Sequence, residues 1–185
     1  MRFVSIRQFR LTPMALAIAI VGLAASVSHA DVDKDAVLKC WQKFKPGSSA
    51  TMVANIGAGG YSMQMSKKEA LVEVSSDKVV IETTISMNMG GTPRSNPPSR
   101  RTISPGSERH DEMKEVGHEK VEAAGKTWDC DVLEGSAMLP ARGGTPTASK
   151  ARIWINTDVP GGVVKIAVTG GPQEIVYLLS AYEAK

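Results

Sequence analysis

The chain has 185 residues, with 22 Lys and Arg, 19 Asp and Glu, three His and two Cys. Its formal net charge of +3 resides in the first thirty residues, where Arg2, Arg7 and Arg10 stand without an acidic residue; 22 − 3 leaves 19 basic against 19 acidic side chains in the remainder. A balanced charge gives no general pull toward nucleic acid or anionic lipid, so no nucleic-acid partner is expected.

The leading residues carry an address. After the three arginines comes an apolar run from Met14 to Ala25, then the small residues Ser26-Val27-Ser28-His29-Ala30, then charge from Asp31. That order is expected of a secretory signal peptide cleaved after Ala30. Residues 1–30 are therefore read as the signal peptide and 31–185 as a single domain, of about 155 residues, enough to bury a core. The competing reading is an uncleaved anchor. Residues 11–27 are short for the roughly 17–25 a spanning helix needs, and they include Pro13 and Gly22. The expectation is an exported protein, periplasmic or extracellular, with no stable membrane span after cleavage. In that setting Cys40 and Cys130 have two readings. They close a disulfide loop, or they are two separately buried thiols.

A helix is predicted over Asp33–Phe44, with Asp33 as N-cap and Ala36, Val37, Cys40, Trp41 and Phe44 on one face; Pro46-Gly47 stops it. The chain then alternates with period two. Met52, Ala54 and Ile56 form one face, and Gly57-Ala58-Gly59-Gly60 turns the chain. Tyr61, Met63 and Met65 alternate with polar residues; further on, Ala70, Val72 and Val74 read as the apolar positions. The clearest strand follows, with Val79, Ile81, Thr83, Ile85, Met87 and Met89 on one side. Residues 90–107 are rich in Gly, Pro and Ser and predict a mobile loop. Strands resume near Gly117, turn at Ala124-Gly125-Lys126, and continue through Trp128, Cys130 and Val132. A second loose stretch is expected over 140–149. Strands over 151–157 and 163–169 are expected to pair through a tight turn at Val159-Pro160-Gly161-Gly162, and a last strand covers 174–183. The connections are too short for crossover helices, so pairing must be antiparallel. The expected fold is mainly β, an antiparallel meander forming a curved sheet or incomplete barrel with one short N-terminal helix.

Three segments carry a resemblance: Cys40-Trp41-Gln42-Lys43-Phe44-Lys45-Pro46-Gly47-Ser48, Ala124-Gly125-Lys126-Thr127-Trp128-Asp129-Cys130, and Trp154-Ile155-Asn156-Thr157-Asp158-Val159-Pro160-Gly161-Gly162-Val163-Val164-Lys165. Together they resemble motifs of uncharacterised exported β-rich bacterial proteins, planctomycetes among their sources, with an AGK-x-aromatic-x-C hairpin and a W-x-x-x-x-VPGG-V-x-K segment. The resemblance implies a single-domain exported protein, loosely like the lipoprotein carriers that wrap a curved sheet around a helix. It brings no catalytic residues. Asn156-Thr157 and the Pro-rich stretch 90–107 depart from the pattern.

No nucleophile elbow, phosphate loop or CxxC is present, and no catalytic residue, cofactor or metal is assigned. Met63 and Met65, and likewise Met87 and Met89, present thioethers at i and i+2 on one strand face. Such soft donors suit Cu(I), but would have to face each other in register; interior Met filler is the plainer reading. His110-Asp111-Glu112 with His118-Glu119 lacks His-Glu-x-x-His spacing and reads as loop surface. Asp129 and Asp131 read as a solvated face, and Cys130 as a poor nucleophile among apolar neighbours. The functional expectation is an exported non-enzymatic protein that binds a lipid or other apolar small molecule. Its expected lining is Met63, Met65, Ile81, Ile85, Met87, Met89, Tyr177 and Leu179. The alternatives are an envelope structural or interaction protein with a filled core, and a periplasmic copper handler using the Met pairs.

Overall fold

The computed structural model describes residues 35–58, 61–89, 91–107, 113–139, 147–170 and 174–185. The expected leader, its cleavage position, the cap Asp33, and His110-Asp111-Glu112 lie outside them. The elements are α1 (Ala36–Gln42), β1 (Ser49–Ala58), β2 (Tyr61–Val74), β3 (Val79–Met89), β4 (Thr92–Ser95), β5 (Ser99–Ile103), β6 (Lys114–Ala123), β7 (Lys126–Leu139), β8 (Thr147–Ile155), β9 (Val163–Thr169) and β10 (Ile175–Glu183). Alternating apolar positions and short turns leave the chain one economical solution, an antiparallel sheet. Its order is β4-β3-β2-β1-β10-β9-β8-β7-β6, with β5 also paired to β3. From β1 to β4 and from β6 to β10 neighbours in sequence are neighbours in space; β5 lies on β3, β6 stands at the opposite end of the order, and the last strand returns to the first at β1 and β10. The sheet is curved and does not close into a barrel, as the alternation predicts.

Residues 90–107 differ from expectation. They supply β4 and β5, both hydrogen-bonded to β3. The composition hides this because most of the segment's side chains face solvent, yet Ile103 is 1% exposed opposite Val79. Arg100 pairs with Glu82 at 3.0 Å and Arg101 with Glu69 at 3.3 Å. Pro93 is tolerated because β4 is the end of the strand order, where a missing N–H breaks no further ladder. Of the second expected loop, 140–146 lies outside the described residues, and 147–149 belongs to β8.

The face of β2 also differs. Leu71, at 1% exposed, is the inward residue, whereas Val74 is exposed. The odd positions from Met63 through Lys67 and Glu69 keep one parity down to Leu71, and a bulge between Leu71 and Glu73 then shifts the register.

Two buried clusters form the core. Leu38 and Trp41 of α1 pack on Leu71, Val79, Ile81 and Ile103. A larger cluster joins Met52, Trp128, Cys130, Val132, Trp154 and Leu179, among others. The helix is shorter than predicted and carries no side-chain cap. Its start is instead tied to the turn after β5, where Gly106 N–H donates to Asp35 Oδ1 at 2.9 Å. Trp41 is buried as predicted, at 1% exposed, while Phe44 is half-buried. Cys40 and Cys130 are buried thiols in separate surroundings and form no disulfide.

Strands β8 and β9 pair directly, as expected. Their connection is wider than a tight hairpin, running from Asn156 to Gly162. Asn156 Oδ1 accepts from the Asp158 N–H at 2.9 Å, and the Gly162 N–H closes a turn onto the Val159 carbonyl at 2.8 Å. Pro160 presets the turn and Gly161 supplies φ +78. Gly161 is also required sterically, because a Cβ there would lie 2.8 Å from the Trp41 ring. The helix thus docks on a turn that only glycine can make.

Candidate functional site

Register places one row of directly opposed residues across six strands: Met87, Met65, Ala54, Tyr177, Ile166 and Ile153, on β3, β2, β1, β10, β9 and β8. Directly opposed residues share a sheet face, so the row is continuous and apolar apart from one phenol. Ala54 at its centre is 1% exposed, while the others are half-buried. The Tyr177 hydroxyl donates to Met65 Sδ at 3.9 Å, reaching across Ala54, which stands between them. Burial raises the Tyr177 hydroxyl above the ordinary tyrosine pKa, which keeps it protonated as a donor.

The same face of β3 behaves differently along its length. Val79 and Ile81, at 0% exposed, lie under α1. Thr83, Ile85 and Met87, of the same parity, are only half-buried. Between these regions Lys67 and Glu69 form an ion pair at 2.8 Å, joined by Arg101.

The expected lining residues therefore separate. Met63, Met65 and Met87 stand on adjacent strands, with Met65 opposite Met87, Met63 opposite Met89, and Tyr177 touching Met65. Ile85 is the next position of the same face. Ile81 belongs to the core under the helix and Leu179 to the larger cluster, both at 0% exposed.

Sequence reasoning missed a second feature, a polar cleft of about 750 Å³ between β6, β7, β8 and β9. Trp154 forms its floor. Lys165 Nζ lies 4.3 Å from one of the Trp154 rings, and the Arg152 guanidinium carbon 5.2 Å. The indole N–H donates to Glu119 Oε2 at 2.8 Å, and Arg152 Nη2 donates to Glu119 Oε1 at 2.7 Å. The indole bond, helped by the Arg152 and Lys165 charges, holds the Glu119 carboxyl below the usual glutamate range despite some desolvation. Arg152 Nε lies 3.2 Å from Glu134 Oε1, close enough for an ion pair but outside hydrogen-bond geometry. Basic and acidic side chains mix in the lining, with Arg152 pairing to both Glu119 and Glu134, and Ser136 and Thr169 add hydroxyls. The signal that could have found it is Arg152-x-Trp154, a charged and an aromatic residue of one parity on one strand.

Glu119 is thus turned toward Trp154, away from the metal role weighed for it. His118 faces Asp131 and Glu115 instead. Cys130 has its thiol pushed up to about 11, first by burial and then by the Asp129 and Asp131 charges, which agrees with an inert thiol. Among the described residues no helix is long and apolar enough to cross a membrane.

No protein-family model matches the chain. No curated protein matches it either. Among solved structures, a candidate exported protein with a YmcC-like fold from Bacteroides fragilis has a TM-score of 0.46 at 10% identity, over 76% of this chain and 97% of that one. A DUF1329 family protein from Desulfovibrio piger has a TM-score of 0.33 at 14% identity, over 83% of this chain and 92% of that one.

Proposed function

We propose that this is an exported, non-enzymatic carrier that holds an apolar ligand, such as a lipid acyl chain, along the row from Met87 to Ile153. One observation carries the reading. The sheet face that is filled under α1 continues, past Lys67 and Glu69, into half-buried Met63, Met65, Ile85, Met87 and Tyr177. Flexible thioethers adapt to varied apolar shapes, which suits a carrier of chains that differ in length. The export assignment rests on the order of charge, apolar run and small residues in 1–30. Native mass spectrometry of the protein purified from its own envelope should reveal a co-purifying lipid. Met65→Glu and Met87→Glu should abolish that adduct with the fold retained by circular dichroism. An adduct-free protein that also ignores a fluorescent fatty-acid probe overturns the reading.

A second reading is favoured by the register. Met65 stands directly opposite Met87 across β2 and β3, the backbone pairing that a two-strand thioether site for Cu(I) would need, with Met63 the next residue of that face. Titration of the reduced protein with Cu(I) against a chelator separates the two. Met65→Leu with Met87→Leu keeps lipid binding and removes copper binding.

A further inference from the structure

We propose that Glu115, His118 and Asp131 form a site for a zinc-class divalent cation, one that accepts mixed nitrogen and oxygen ligands. The site lies on the β6–β7 hairpin and shares no residue with the apolar row. One ligand atom from each of the three side chains lies within 4.8 Å of the others.

The arrangement depends on a bulge. Glu115 and His118 are three residues apart, and in a regular strand they point to opposite faces. Between Glu115 and Gly117 the β6–β7 register slips by one residue. Gly117 takes φ +149 there, a conformation other residues rarely adopt. The extra residue brings the Glu115 carboxylate round to His118, which itself stands directly opposite Asp131.

The hydrogen bonding assigns roles. His118 Nδ1 lies 2.7 Å from Asp131 Oδ1. Nδ1 donates to that carboxylate, so in the neutral imidazole that a metal binds the lone pair is on Nε2. Nε2 lies 3.7 Å from Glu115 Oε1. That gap is close to the separation of two ligands on one tetrahedral zinc with bonds of about 2.0–2.2 Å. Glu115 and His118 bind the ion directly. Asp131 orients the imidazole from behind, the carboxylate–histidine–metal relay. The three side chains keep 38%, 66% and 55% of their surface open to solvent, so waters complete the coordination. An imidazole between two carboxylates also favours a cation electrostatically, whereas oxygen-only cations gain nothing from the nitrogen.

The test uses the full chain, with zinc titrated against a chromophoric chelator. Saturable one-to-one binding is expected, unaffected by excess Mg²⁺. His118→Ala should abolish it, and Glu115→Gln should weaken it at least about tenfold. Asp131→Asn should weaken it by about 10–100-fold, as expected for an orienting partner. Unchanged urea midpoints separate these losses from unfolding. The wild-type protein gives a second readout that needs no variant: zinc should shift the His118 imidazole resonances in NMR. Absence of stoichiometric binding, or binding that survives His118→Ala and is lost with His110→Ala, overturns the proposal.

Discussion

Ala124 occupies a position that its side chain disfavours. It stands with Gly125 in the two-residue turn between β6 and β7, and both have positive φ, +51 and +72. Those angles define the turn that matches strand twist, where Asn-Gly is preferred over Ala-Gly. Ala124→Asn keeps a Cβ against the core cluster and tolerates the left-handed region. It should stabilise the protein by about 0.5–1 kcal/mol, read as a raised urea midpoint. Glycine at the same position gains less, because its freedom in the unfolded chain offsets the relieved strain. Cys130 sets an alkaline limit by a different route. Its thiol is pushed up to about 11 in the fold, against an ordinary value near 8.5 in the unfolded chain. The fold therefore retains a proton that the unfolded chain releases between those values. The stability this contributes is intact below about pH 8.5 and is lost as the pH rises to about 11. Urea midpoints measured from pH 8 to 11 should fall, and Cys130→Ala should flatten that decline whatever it does to the midpoint at pH 8.

Helix α1 shows how an element of seven residues earns its place through contacts rather than propensity. It has no side-chain cap, and its stability comes from Leu38 and Trp41 on the sheet and from Trp41 against Gly161. Trp41→Ala should cost about 3–5 kcal/mol, the loss expected for a buried aromatic. An unchanged urea midpoint would refute that packing. Period-two alternation made β1, β3 and the β8–β9 pair legible in the sequence, and the Trp41 face was legible from its 3.6-residue spacing. What stayed hidden depends on register. Val72 and Val74 are as apolar as Leu71, and only the unbroken parity from Met63 shows which of them faces inward. The segment 90–107 spends its few apolar groups at Ile103, so its composition resembles a loop although it is paired. The row through Ala54 joins strands far apart in the chain. The Glu115 and His118 pair is visible only once the bulge is known.

At the scale of the molecule, β10 decides whether there is one sheet or two. Its first half pairs with β9 through Ile175–Leu178, and Tyr177–Glu183 pairs with β1. Without it the remaining ladders fall into two groups, one containing β1–β5 and the other β6–β9. The closing contacts span the chain. The Lys185 N–H donates to Ser48 Oγ at 2.9 Å across 137 residues, and the Lys45 N–H donates to the Lys185 carbonyl at 3.1 Å. A loop this long is closed late, after the local hairpins have formed. Leu179 supplies the core of the joint, at 0% exposed and in one cluster with Met52 of β1 and Val164 of β9. Deleting residues 174–185 exposes two sheet edges and that cluster at once. The shortened chain should lose its single cooperative urea transition, whereas Leu179→Ala in the full chain should keep the transition and lower stability by about 2–5 kcal/mol. Two separate transitions in the shortened chain would mean that each half carries a core sufficient to itself, and that β10 joins the halves without being needed to fold them.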